Sequence, residues 1–320
     1  MKILITGGCG YVGSSLVLEL SKSGHHITVI DAGWFGNFLP ELSNVKIEKK
    51  LYSDLSIGDI EGSEIVIHLA NVANDPSVEL NPTMSWEINV LHHTQLLENC
   101  RRTKSVKKFI YASSGSVYGI KQEHRVTEDL LPLPISVYNK TKMVAERVAL
   151  SYSDDFSVIV VRPATVCGIS PRMRFDVVVN MFVLQAYNSK EIQVLGGDQI
   201  RPNIHMKDMV RVYEHAIEND LPPGVYNSGF ENISVREIAN KVSILSGAKI
   251  IWKDSNDPRS YRQDSSKLIE TGFVQLYGVD DAISEIWQAL ESKEVVDQPE
   301  WHTVKWMVKN QIHLGAKSGN

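Results

Sequence analysis

Tyr138 and Lys142 stand four positions apart, a spacing that puts both side chains on one face of a helix. A free phenol is a poor base at neutral pH, since its ordinary pKa is about 10. A nearby ammonium favours the phenolate, so the pair has the means to take a proton from a hydroxyl group. Of the 11 tyrosines in the chain, only Tyr138 is followed by a lysine at this distance. A second cluster is hydroxylic: Ser113-Ser114-Gly115-Ser116-Val117-Tyr118-Gly119 follows an apolar run. The third is the glycine turn Thr6-Gly7-Gly8-Cys9-Gly10-Tyr11-Val12-Gly13. Such a turn lets a pyrophosphate approach the backbone from Gly7 to Gly13 and meet the free N–H groups of a helix start. Asp31 lies 18 positions beyond Gly13. A carboxylate there accepts from a ribose 2′-hydroxyl and repels a 2′-phosphate, which predicts NAD rather than NADP.

These groups need elements to hold them. Short apolar runs predict strands over 2–6, 26–30, 45–49, 64–69, 107–111 and 157–161, with amphipathic stretches at 11–23 and 82–102. Strand–helix alternation with unalternating apolar strands indicates a parallel sheet covered on both faces. The glycine turn and the serine cluster then fall at the carboxyl edge, where doubly wound sheets bind ligands. The second half is more mixed. Helical patterns occur at 176–187, 207–218, 235–246 and 280–290, and short strands near 192–195, 225–227 and 250–252. Ser234 and Glu237 form a capping box that fixes one helix start. Residues 301–320 carry too little pattern to assign.

Composition narrows the function classes. With 320 residues, 43% of them hydrophobic, the chain can bury a large core. A net charge of −5 gives no global basic field for nucleic acid or an anionic membrane. Cys9, Cys100 and Cys167 are an odd number with no CxxC, which predicts a reducing, cytoplasmic setting and no disulfide framework. No apolar run approaches the roughly 18–20 residues of a membrane span. The 10 histidines include no HExxH or HxxxH, so no metal site is expected. Neither a Walker A loop nor a GxSxG elbow occurs.

Taken in order along the chain, the motifs resemble the extended short-chain dehydrogenase/reductase family, the nucleotide-sugar epimerases and dehydratases. Residues 6–13 are similar to its cofactor loop, and Asp54-Leu55 to the pair that reads the adenine ring. His68-Leu69-Ala70-Asn71 resembles its fourth-strand HLAA, and Asn89 the asparagine of its dimer helix. Ser114 matches the SSxxVYG hydroxyl, and Tyr138 with Lys142 its YxxxK. Further on, Arg201 to Asp208 is similar to RxxIHVxD, Tyr226-Asn227 to a returning strand, and Arg259 to a second phosphate ligand. Where the family has Arg-x-x-Asn before Tyr-Gly, this chain reads Arg162-Pro163-Ala164-Thr165 and then Cys167-Gly168.

The resemblance implies a Rossmann-type doubly wound parallel sheet over 1–165, with 204–229 returning to it, and a smaller α/β substrate-binding lobe over 166–320. It implies that Gly7, Gly10, Tyr11, Val12, Gly13, Asp31, Asp54, Leu55, Leu69, Ala70, Asn89, Tyr138, Lys142 and Pro163 hold NAD. Ser114, Ser116, Thr165, Asn180, Arg201 and Arg259 would hold a nucleotide sugar. A homodimer through helices near 82–102 and 138–150 is implied as well. Residues 169–174 resemble a polysaccharide-biosynthesis branch of the family. Their Arg172 and Arg174 either bind substrate phosphate through charge-assisted bonds or pair with surface carboxylates.

The implied chemistry is oxidation of a sugar hydroxyl. Tyr138 takes the proton, Ser114 steadies the oxygen, and the hydride leaves for a nicotinamide whose positive ring, with Lys142, favours the phenolate. Dehydratases of the family carry Asp-Glu after the catalytic hydroxyl; Gly115 and Ser116 stand here, which disfavours a 4,6-dehydratase. An epimerase needs only Ser114, Tyr138, Lys142 and a retained NAD, and epimerisation at C4 through a transient 4-keto sugar is the expected reaction. A 4-dehydrogenase or ketoreductase would use the same residues, and an NAD-sensing protein the same fold.

Overall fold

Ile3, Leu4 and Ile5 are all buried, and so is every residue of Ile65–His68. An extended chain this apolar on both faces belongs in the middle of a sheet with helices on either side. The computed structural model describes residues 1–255 and 260–314 and shows that arrangement. The chain lays down β1 (Lys2–Thr6), β2 (His26–Asp31), β3 (Val45–Lys49), β4 (Ile65–His68), β5 (Lys108–Ala112) and β6 (Ser157–Pro163). It then makes β7 (Thr165–Cys167), β8 (Glu191–Leu195) and β9 (Ile200–His205), and returns to the main sheet with β10 (Gly224–Ser228). The seven-stranded sheet is parallel throughout, in the order β10-β6-β5-β4-β1-β2-β3.

The side-chain period of two sorts each strand between two apolar layers. Ile3 and Ile5 join Leu16 and Val17 of the helix Tyr11–Lys22, and Met209 and Tyr213 of the helix Met206–Glu218. Leu4 faces the other way, towards Leu96 and Leu97 of His93–Thr103 and Ala145 and Ala149 of Val137–Leu150. Strand order reverses between β1 and β4, which opens a crevice at their carboxyl ends.

A separate apolar cluster joins the helices Val178–Ser189, Val235–Ser246 and Val279–Glu291 through Phe182, Ile238 and Ile286. Around it lie β11 (Glu231–Ser234), paired with β9, and β12 (Lys249–Lys253), paired with β8. The expected capping box is present: Ser234 Oγ accepts from Glu237 N at 3.1 Å, and Glu237 Oε2 accepts from Ser234 N at 2.7 Å.

One element differs from expectation, and one that the sequence left unassigned takes shape. The stretch 82–102 is not one regular helix, because a wide turn at Glu87–His92 interrupts it between Pro82–Trp86 and His93–Thr103. Asn89 sits in that turn and bonds the backbone of Val72, the kind of local demand that widens a helix near a site. The patternless C-terminus forms the short turns Pro299–Trp301, Thr303–Lys309 and Ile312–Leu314. Pieces so short are held by their neighbours rather than by propensity. Among the described residues no helix is long and apolar enough to cross a membrane, and no cluster is suited to a metal.

Candidate active site

A cavity of about 850 Å³ occupies the crevice. Its floor is the glycine turn. Gly7 has φ +76°, and a Cβ on it would lie 2.6 Å from Ala70 N; one on Gly13 would lie 2.3 Å from Gly7 O. Only hydrogen fits at either place. Gly10 precedes the first helix, no side chain caps that N-terminus, and its first turn holds no acidic residue. An uncapped helix start with its positive dipole end open to a groove suits a pyrophosphate. Gly10, Tyr11, Val12, Leu69, Ala70 and Pro163 line the same groove. Asp31, at the end of β2, is fixed by Cys9 N at 3.0 Å and Gly33 N at 2.8 Å, and burial raises its pKa.

The opposite end carries the hydroxyl groups. Ser136 caps the helix Val137–Leu150 by accepting from Asn139 N at 3.2 Å and donates to Asp75, anchoring the turn that bears Tyr138. The Tyr138 phenol and the Ser114 hydroxyl face the same cavity, and Ser114 is close enough to pull the phenol's pKa down. Ser114 Oγ lies 2.7 Å from Ser116 Oγ, which donates to Asn139 Oδ1 at 2.6 Å. A chain of hydroxyls therefore runs from the phenol into the protein. Burial pushes the Tyr138 phenol up to about 12, while Arg174 and Ser114 pull it down. Lys142 is on the same helix face, yet its Nζ donates to Ala112 O at 2.7 Å and sits 5.0 Å from the centre of the Tyr111 ring. Burial lowers its pKa to about 7.

Behind this wall a polar network ties the helix to the sheet. Arg162 of β6 and Glu146 form a buried ion pair, and Glu146 Oε2 also accepts from Ser113 Oγ at 2.9 Å. Arg162 Nη1 donates to Tyr118 Oη at 2.6 Å, Tyr118 Oη to Asn227 Oδ1 at 2.9 Å, and Gln263 Nε2 to Arg162 O at 2.6 Å. Tyr118 and Asn227 belong to motifs legible in the sequence without a site role of their own, and Glu146 and Gln263 do not stand out from it at all. The available signal is that Glu146 follows Lys142 by one helical turn on the buried face.

Ser116, Thr165, Arg172, Arg174 and Arg201 line the cavity. Four expected ligands do not. Asn89 is spent on Val72 N at 2.8 Å, Val72 O at 3.1 Å and Thr141 Oγ1 at 3.2 Å, so it shapes the wall from behind. Asn180 is fully buried and donates to Tyr11 Oη at 2.9 Å and Arg174 O at 2.9 Å. Leu55 is in the core beneath the sheet and Asp54 is exposed; Leu51, Tyr52 and Ser53 line the cavity instead. Arg259 lies outside the described residues. Arg174 Nε donates to Asp176 Oδ1 at 2.7 Å inside the cavity wall, and Arg172 is 3% exposed, so neither belongs to a solvated surface loop. Trp34, Phe35, Thr303 and Met307 also line the cavity, and nothing in their spacing foretells it.

Residues 3–229 match the NAD dependent epimerase/dehydratase family. The chain belongs to that family of extended short-chain dehydrogenases/reductases, and it is an enzyme of the NAD-dependent class. Among curated relatives, YtcB of Bacillus subtilis, an uncharacterized UDP-glucose epimerase, is 30% identical over 83% of this chain and 90% of its own. UDP-glucuronic acid decarboxylase 1 of Danio rerio is 27% identical over 83% of this chain, which spans 66% of that protein's length. Among solved structures, UDP-glucuronic acid 4-epimerase from Bacillus cereus in complex with UDP-glucuronic acid and NAD is 26% identical, covers 92% of this chain and 100% of its own, and has a TM-score of 0.81.

Proposed function

We propose that the protein is an NAD-dependent 4-epimerase of a nucleotide-activated sugar, with UDP as the nucleotide. The observation that carries this reading is the convergence on one cavity of the glycine cradle and the Tyr138–Ser114–Ser116 chain. The cradle that a Cβ would fill at Gly7 and Gly13 fits the pyrophosphate of NAD, and Asp31 fits its adenosine ribose. When bound, NAD supplies the hydride acceptor and later the donor.

The chain's own residues do the rest. Tyr138 takes the proton of the sugar 4-hydroxyl as the C–H bond breaks, and gives it back when the 4-keto sugar is reduced from its other face. Ser114 holds the reacting oxygen, with Ser116 fixing the Ser114 hydroxyl in turn. Lys142 supplies the charge that favours the phenolate once ligands turn it from Ala112 O. Arg201 and Arg174 meet the substrate's negative groups, and Thr165 its sugar. Residues 1–165 with 204–229 form the cofactor-binding part and 166–320 the substrate lobe. Three free, buried cysteines support a cytoplasmic setting. A homodimer would cover Trp86 and Leu91, which are 38% and 62% exposed on the 82–103 stretch.

A panel of UDP-, GDP-, dTDP- and CDP-sugars, incubated with the protein and NAD and read by mass and chromatographic retention, tests the reading. We expect a UDP-sugar product of unchanged mass and altered retention. A product lighter by two hydrogens with accumulating NADH would replace it with a dehydrogenase, and loss of water with a dehydratase.

A further inference from the structure

Residues 299–314 lie beyond the stretch matched by the family, and within the 166–320 lobe no residue of theirs has been given a role. Thr303, Val304 and Met307 nevertheless line the cavity. The segment touches three walls of the cofactor groove. Trp306 Nε1 donates to Trp34 O at 2.6 Å, on the loop after β2. Met307, 1% exposed, packs with Val78 and Met84, and Asn81 Nδ2 donates to His313 O at 2.8 Å. On the third wall, Phe175 N donates to Trp301 O at 3.0 Å, and Arg172 Nη2 reaches Glu300 O at 3.1 Å and Thr303 Oγ1 at 3.5 Å.

Arg172 stands where these contacts meet. Its guanidinium carbon lies 4.4 Å from the centre of the Phe35 ring, its backbone N donates to Ser14 Oγ at 3.3 Å, and its charge reaches Asp31. Those neighbours put it on the β2 side of the groove. Its Nε–H is buried and has no partner among the described residues. A buried ionised donor left unpaired is costly, and a bound polar group at the guanidinium would lower that cost.

We propose that Arg172 is a ligand of the adenosine diphosphate half of the dinucleotide, and that residues 299–314 clasp that half in the groove so that the cofactor stays bound between turnovers. The inference rests on the reading of the groove as an NAD site. A planar guanidinium offers paired donors to a phosphate or a ribose diol, while Asp31 offers the acceptors. Release would require Trp306, Met307 and His313 to leave their partners. Retention suits an enzyme that must return to its substrate the hydride it removed. Arg172, for which the sequence left substrate phosphate and surface carboxylates open, is thereby assigned to the cofactor.

The test uses full-length wild type, Arg172→Met, Arg172→Lys and Trp306→Ala. Calorimetric titration of cofactor-stripped protein with ADP-ribose, nicotinamide mononucleotide and UDP gives affinities; release from NAD-loaded protein into excess competitor gives a rate. Arg172→Met should weaken ADP-ribose by about tenfold to a hundredfold, the worth of a charged hydrogen bond, and leave the other two ligands unchanged. Arg172→Lys should recover part of the loss. Trp306→Ala should speed NAD release by about tenfold with the unfolding midpoint kept, and decides alone if Arg172→Met does not fold. Unchanged ADP-ribose affinity and release would overturn the proposal, as would a loss confined to UDP. Wild type that bound neither NAD nor ADP-ribose would overturn the cofactor reading beneath it.

Discussion

Two protons decide what Tyr138 can do, its own and that of Lys142, and the protein holds them unevenly. Burial takes the Tyr138 phenol up to about 12 and the Lys142 ammonium down to about 7, so the pair sheds its first proton near neutrality. A phenolate beside an ammonium is one arrangement of that singly deprotonated pair, and it is the one that can act as the base. kcat/KM should therefore rise with pH through about 7 and level off above it. In Lys142→Met, Tyr138 must ionise unaided, so the rise should move above about pH 9; a wild-type profile flat from about pH 6 to 9 would contradict this. Tyr138→Phe should lower turnover by about a thousandfold or more while NAD affinity, measured by titration, stays within a few-fold. The YxxxK pair was legible because four-residue spacing is local geometry. The resting partner of Lys142 was not, since Ala112 O and the Tyr111 ring come from a strand about 30 positions upstream.

At the scale of elements, the helix Val137–Leu150 is pinned by one buried charge pair. Glu146→Ala leaves Arg162, 2% exposed, as an uncompensated charge and should cost about 3–5 kcal/mol in urea unfolding. A loss below about 1 kcal/mol would show that the pair does not hold the helix. Gly13→Ala drives a Cβ to 2.3 Å from Gly7 O, so it should lower NAD affinity by about a hundredfold through the helix it displaces. The parallel sheet and the glycine turn could be read directly, because buried strands are continuous apolar runs and a turn before a helix needs glycine. Asn89 and Asn180 could not. Their residue type suits a ligand, but only the fold reveals that their amides are consumed by Val72, Tyr11 and Arg174.

For the whole molecule, the chain leaves the main sheet after β6, builds the second cluster, and returns through β10 beside β6 and then through the C-terminal turns over the groove. A short strand at 225–227 could be read from its residues and its return to the sheet from the family resemblance, whereas residues 301–314 carry no periodicity and take shape only against Trp34, Met84 and Arg172. Sedimentation should give twice the 35.8 kDa chain mass, and Leu91→Glu, on the 62% exposed side chain, should give monomers; a monomeric wild type would refute the dimer. The proposed epimerase removes a hydride from C4 of a sugar and returns it to the other face of the same carbon. A UDP-sugar carrying deuterium at C4, incubated in unlabelled water and followed by NMR, tests it most directly. The product should be inverted at C4 and keep its deuterium, with no free labelled NADH. Inversion with loss of the label, or a stable labelled NADH pool beside a 4-keto product, would contradict it.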